Sequence, residues 1–331
     1  MGQHISDDED TEQAARKKYA DIRPLYERLA KEVRHVLEAK LSDAGIDPVS
    51  IIHRSKEVGS FADKIARKRY TDPLSQMTDL AGVRVVCAYE SELATVAQVI
   101  ESNFEVRERI DKSVDLGVDR MGYNGKAFVT ALGAQYAGGR YENITNLNCE
   151  IQVRTILQDA WAIIDHQLIY KNEDSTPERL RRDLNNVASL LEIAQGIFDS
   201  VREKRATYIS EIQQKQNDPL AFLAQPLDFD TVVAYTKWKF PDREPSEKLT
   251  QTLLRDINLE DYPTLRQLDA IVERASAAVE AYRNENPDWF KSGTDFLTKS
   301  IGFVDSDFRA KHGFSPRTRT AFVKFNDLVH S

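Results

Sequence analysis

The run Glu150-Ile-Gln-Val-Arg154 constrains this chain more than any other. Polar and apolar residues alternate strictly, which is the period of a β-strand. Glu150, Gln152 and Arg154 then project from one face, and Ile151 and Val153 from the other. An acid, an amide and a guanidinium side by side on a strand that buries its other face are costly as pure structure. The strand therefore belongs to a sheet with one face in the core and the other on a site. Val83–Ala88, Phe104–Ile110, Lys126–Leu132 and Cys149–Thr155 read as strands of that sheet. Glu90–Ser102 and Thr155–Tyr170 have helical spacing. Strands and helices mixed in this order predict an α+β domain around one sheet.

Helices flank this core, which spans residues 49–175. In residues 12–48, Tyr19, Ile22, Tyr26, Leu29, Val33, Val36 and Leu37 form one apolar stripe, with Pro24 marking a kink or a boundary. Residues 1–11 read as a disordered acidic tail. Residues 176–216 are helical again, and Asn217-Asp-Pro219 breaks the pattern. Residues 217–331 read as a mainly helical accessory segment, helical in its middle at Leu265–Tyr282 and ending in a basic aromatic stretch, Phe308 to Arg319. The 331 residues suit two domains, at roughly 100–200 residues each.

The net charge is −8, which argues against non-specific coating of nucleic acid and leaves a local basic cleft open. No apolar run approaches the roughly 18 residues of a membrane span. The acidic N-terminus lacks the basic-then-apolar pattern of a secretory signal. The chain is thus expected in the cytoplasm, away from membranes. Its two cysteines, Cys87 and Cys149, are expected as buried, reduced thiols.

Several residues could carry chemistry. Lys56, Ser60 and Lys64 are four apart, so a helix spanning them would line them on one face, close to Arg54. Two ammoniums and a hydroxyl suit a polyphosphate, although an ordinary solvated basic helix is the commoner reason for such a pattern. Asp79 stands just before a buried strand, where a carboxylate can hold a divalent metal. Arg84 interrupts an apolar strand and needs a partner. Gly122-Tyr123-Asn124-Gly125 is a turn whose Tyr123 could stack on a base. His166 follows on the next helix, where a lone histidine is more often structural. There is no P-loop, no G-x-G-x-x-G and no H-E-x-x-H.

Taken together these pieces resemble the alarmone synthetase domain of the RelA/SpoT family, over about residues 15–200. The strings that carry the resemblance are Arg54-Ser-Lys56 with Ser60 and Lys64, Asp79-Leu-Ala-Gly-Val-Arg84, Gly122-Tyr123, Glu150 through Trp161, His166 and Tyr170-Lys171. The resemblance implies a nucleotidyltransferase-like mixed sheet flanked by helices. It implies transfer of the β,γ-pyrophosphate of ATP to the 3′-hydroxyl of GDP or GTP, with Mg²⁺. By the same resemblance, Arg54 packs on adenine, and Lys56, Ser60 and Lys64 hold the ATP phosphates. Asp79 binds metal, and Tyr123 stacks on the acceptor guanine. Glu150 is a second metal ligand or the base. Gln152, Arg154, His166 and Lys171 complete the nucleotide pockets.

Two departures stand out. The family usually has Ser and His where this chain has Gly125 and Ala127, which opens the acceptor to question: an adenosine nucleotide or the 3′ end of tRNA are the alternatives. A binding-only regulator is a third reading, against which both carboxylates are retained. There is also no room for the hydrolase domain of the long members. A small, single-function synthetase is expected, and a homo-oligomer would match other small members.

Overall fold

The alternation at Glu150–Arg154 is realised as the central strand of a five-stranded mixed sheet. The structure is a computed structural model and describes residues 3–111, 125–168 and 177–329. The chain divides into two compact units, Met1–Val201 and Arg202–Ser331.

In the first unit the strands are β1 (Ser50–Ser55), β2 (Ala81–Cys87), β3 (Phe104–Asp111), β4 (Lys126–Leu132) and β5 (Cys149–Thr155), in the order β1-β2-β5-β4-β3. β2 and β5 run parallel, and the other neighbours pair antiparallel. Along β5 the burial alternates as the sequence predicts: Ile151 and Val153 are fully buried, while Glu150, Gln152 and Arg154 are half-buried.

Helix α1 (Gln3–Asp43) supplies the cover. Tyr19, Tyr26, Leu29, Val33, Leu37 and Leu41 bury its apolar stripe in the same core as Val83, Val85, Ile151 and Val153. Two expectations are corrected here. The helix begins inside the stretch read as a disordered tail, and it passes through Pro24 without a break. No glycine or proline stands between Gln3 and Arg23 to stop it, and the stripe on both sides of Pro24 packs on one core.

Helix α2 (Val58–Lys68) follows β1 and buries Phe61 and Ile65, four apart. Phe61 stacks on Tyr19 with ring centroids 4.4 Å apart. Short α3 (Pro73–Gln76) precedes β2, and α4 (Leu93–Asn103) links β2 to β3. α5 (Ile156–Leu168) continues directly from β5, and α6 (Glu178–Lys215) runs across the division between the units. Cys87 and Cys149 are buried and free, and burial pushes the Cys87 thiol up to about 12.

The second unit is helical: α7 (Pro219–Leu223), α8 (Phe229–Lys239), α9 (Glu247–Asp256), α10 (Leu265–Glu285), α11 (Gly293–Val304), α12 (Ser306–Lys311) and α13 (Pro316–Lys324). Helix thus extends well beyond the central piece read from periodicity, because short helices with polar caps carry too few turns to show a period. Asp218, Asp228, Ser246, Ser292, Asp305 and Ser315 cap six of them by accepting backbone N–H bonds. The unit has its own core, including Phe222, Tyr235, Leu253, Leu268, Leu297, Ile301 and Phe308. The aromatic members of the basic stretch are core residues: Phe308 stacks on buried His312 at 4.9 Å. Among the described residues no helix is long and apolar enough to cross a membrane.

Candidate active site

The parallel pairing of β2 with β5 brings Asp79, just before β2, beside Glu150, at the start of β5. Both line one cavity of about 210 Å³, together with Ile52, Arg54, Gly82, Val83, Arg84 and Gln152. Register explains the arrangement. Arg54 faces Gly82, and Gly82 faces Glu150, so the three form one row across β1, β2 and β5. The Arg54 stem lies over Gly82, where a β-carbon would touch its Cγ at 3.7 Å. Arg84 and Gln152 form the next row, which ends at Ala127 in β4.

Asp79 is the electrostatic centre. Its Oδ2 accepts from Lys56 Nζ at 2.7 Å and lies 2.9 Å from Lys64 Nζ, while its buried Oδ1 has no hydrogen-bond partner. Burial by itself raises the pKa of this carboxyl. The hydrogen bonds from Lys56 and Lys64 more than offset that and hold it below the usual carboxylate range. Lys56 is pinned by its backbone: its N–H donates to Leu80 O at 2.9 Å, and its O accepts from Tyr19 OH at 2.6 Å. Burial of Tyr19 pushes its hydroxyl up to about 12, so it stays a donor.

The condition that one helix span Lys56, Ser60 and Lys64 is not met. Lys56 lies just after β1, and only Ser60 and Lys64 lie on α2. The lysines converge because strand, turn and helix fold round Asp79, not because they share a helical face. Ser60 is exposed one turn before Lys64.

A second cluster lies further along β5. Arg84 NH1 pairs with Asp159 Oδ1 at 3.0 Å, and Arg154 NH1 reaches the same oxygen at 3.7 Å. Arg84 Nε also donates to Gln152 Oε1 at 3.3 Å, and Gln152 Nε2 donates to Glu150 Oε1 at 2.5 Å. The partner that Arg84 required is thus Asp159, in the first turn of α5, a residue sequence reasoning missed. Burial, and then the Arg84 charge, lower the pKa of Arg154. Gly125 faces Arg154, and a β-carbon there would stand 2.3 Å from the Val153 carbonyl oxygen and 2.4 Å from Arg154 Cγ. His166 is exposed on α5 and does not line the cavity. Tyr123 and Lys171 lie outside the described residues.

Two carboxylates and five cations (Arg54, Lys56, Lys64, Arg84 and Arg154) thus gather in two neighbouring clusters, a charge pattern that suits a ligand rich in phosphate. Residues 53–175 match the model of the region found in RelA / SpoT proteins. Over those residues the chain is similar to that region. It is 27% identical over 145 residues to GTP pyrophosphokinase YwaC of Bacillus subtilis (strain 168), covering 41% of this chain and 65% of that one. It is 26% identical over 166 residues to GTP pyrophosphokinase YjbM of the same organism, covering 49% of this chain and 72% of that one. The chain therefore spans a little under two thirds of the first relative's length. Among solved structures, small alarmone synthetase 1 from Bacillus subtilis aligns at 22% identity with a TM-score of 0.48, over 58% of this chain and 99% of that one.

Proposed function

We propose that this chain is an alarmone synthetase of the GTP pyrophosphokinase type, moving the β,γ-pyrophosphate of ATP to the 3′-hydroxyl of GDP or GTP in the cytoplasm. The observation that carries this reading is the single cavity onto which Asp79 and Glu150 both open, with Lys56 and Lys64 converging on Asp79.

The chemistry follows from positions. The acceptor 3′-oxygen attacks the β-phosphorus of ATP. Its proton passes to Glu150, whose Oε1 already accepts from Gln152 and whose other oxygen remains to take it. The bond from the β-phosphorus to the oxygen bridging to the α-phosphorus breaks, and AMP leaves. Lys56 and Lys64 turn from Asp79 to the donor phosphates, with Ser60 beside them. Arg54, whose stem lies over Gly82, packs on the adenine. Gln152 and Arg154 serve the acceptor, as do Tyr123, through stacking, and Lys171. Phosphoryl-type transfer asks mainly for such positioning and charge neutralisation.

Mg²⁺ fits these residues. Asp79 Oδ1 is buried without a hydrogen-bond partner, and oxygen donors are what Mg²⁺ takes. Among the described residues no group of three or more acidic, His or Cys side chains gathers, so with Glu150 taken as the base Asp79 would hold the ion together with nucleotide phosphates and water. When bound, it would neutralise charge on the phosphates being transferred.

The test uses the full chain, Mg²⁺ and ATP labelled at the γ-phosphate, with GDP, GTP, ATP and tRNA offered separately. Label on GDP or GTP with matching AMP release is expected. Label on ATP or tRNA alone would move the acceptor to the alternatives raised by Gly125 and Ala127. No label on any acceptor would overturn the reading.

A further inference from the structure

Asp159 touches no cavity-lining carboxylate, yet it begins a chain of contacts that ends on Glu150. Its Oδ1 lies 3.0 Å from Arg84 NH1 and 3.7 Å from Arg154 NH1. Two guanidiniums this close repel each other, and one carboxylate between them, its side chain only 16% exposed, offsets that repulsion by charge, its Oδ1 accepting no hydrogen bond. Arg84 then spends its Nε on Gln152 Oε1 at 3.3 Å. An amide whose oxygen is claimed in this way must point its NH₂ the other way, and Gln152 Nε2 does point to Glu150 Oε1, at 2.5 Å. The order Asp159–Arg84–Gln152–Glu150 therefore sets which oxygen of Glu150 is occupied and which is free. Arg84 and Glu150 line the same cavity, so an Arg84 released from Asp159 can turn to a carboxylate of that cavity.

We propose that Asp159 is a positioning residue of the active site: by holding Arg84 against α5, it orients the Gln152 amide and keeps one oxygen of Glu150 free to receive the acceptor proton. This rests on the synthetase reading above. Asp159 does not meet the ATP phosphates, which fall to Lys56 and Lys64 on the other side of the cavity. Its loss therefore acts on turnover and leaves donor binding alone.

The experiment compares the wild-type full chain with Asp159→Asn, Gln152→Ala and the double variant. Asp159→Asn is expected to lower kcat by about 10- to 100-fold, the loss typical of a misplaced catalytic group, with KM for ATP within about twofold. Gln152→Ala is expected to lower kcat similarly. The double variant should lose no more than the worse single one, because both cut one chain of contacts; independent effects would multiply. A multiplied loss, or a raised KM for ATP at unchanged kcat, overturns the proposal. A readout without turnover separates this proposal from the reading beneath it. The side-chain amide resonances of Gln152, assigned by their disappearance in Gln152→Ala, should shift in Asp159→Asn. Unmoved resonances overturn the proposal even if the wild type transfers label. Shifted resonances in a wild type that transfers nothing sink the synthetase reading and keep the positional claim. If Asp159→Asn fails to fold, Arg84→Gln cuts the same chain one link nearer, and the same amide shift and kcat loss are expected.

Discussion

Replacing Asp79 with asparagine should make this protein bind ATP more tightly when no metal is present. In the free protein, Lys56 and Lys64 both spend their charge on one oxygen of Asp79, at 2.7 and 2.9 Å. A triphosphate arriving without metal must draw these ammoniums away and also lie near an uncompensated carboxylate. A charge-assisted hydrogen bond is worth about 1.5–3 kcal/mol net. If metal-free ATP gives up the equivalent of one of the two, the affinity is lower by about 10- to 100-fold, at 1.4 kcal/mol per tenfold. Asp79→Asn removes that competition at constant volume. The assay is calorimetric titration of ATP into each protein in excess chelator, then again in Mg²⁺. The variant should bind ATP about 10- to 100-fold more tightly in chelator and lose the wild type's gain from Mg²⁺. Equal or weaker binding by Asp79→Asn in chelator would show that Lys56 and Lys64 do not exchange Asp79 for phosphate.

Four further outcomes can be checked. Glu150→Gln should lower transfer by at least about 10²-fold, the usual worth of a general base, with an unchanged melting temperature. Asp79 also links stability to pH: its folded pKa is depressed, so its contribution is present above the unfolded value of about 3.9 and is lost as pH falls through the folded value. Thermal melts between pH 7 and pH 2 should accordingly fall less steeply in Asp79→Asn than in the wild type at the acid end. Gly125→Ser places a β-carbon 2.3 Å from the Val153 carbonyl and should cost about 1–3 kcal/mol, read as a lowered denaturation midpoint. Residues 202–331, with Ile212, Phe222 and Leu297 in a core of their own, should unfold cooperatively when expressed alone; a non-cooperative melt would refute their independence.

Where the backbone period is short and the burial one-sided, the sequence reads directly into the fold. Lys126–Leu132 and Cys149–Thr155 are strands over the residues read as strands, the second over the residues that alternation marks. The polar face of β5 is the half-buried one, and α1 buries the stripe that its spacing shows. Legibility fails where position depends on contacts distant in sequence. Lys56 and Lys64 meet at Asp79 through a strand-to-helix turn, so the spacing of four led to the right residues by the wrong geometry. Asp159 carries no local signal, since an acid in the first turn of a helix is commonplace. Only the rows of β2 and β5 put it between Arg84 and Arg154. Gly125 reads in sequence as a turn residue; in the fold it is glycine because Arg154 passes where a side chain would begin.

The parallel pairing of β2 and β5 also ties activity to the folding pathway. Arg84 and Gln152 meet across a sequence separation of 68 residues, and nothing shorter brings the two carboxylates to one cavity. Contacts of such separation form late, because the entropy of closing the loop must be met before pairing returns anything. Collapsed intermediates that hold α1 against β1 and β2 thus contain the lysines and Asp79 but no Glu150. A chain still emerging from the ribosome, before Cys149–Thr155 has left the exit tunnel, is in the same condition. On the proposed function, a copy in which the sheet is not yet complete would lack the base and could not run the transfer.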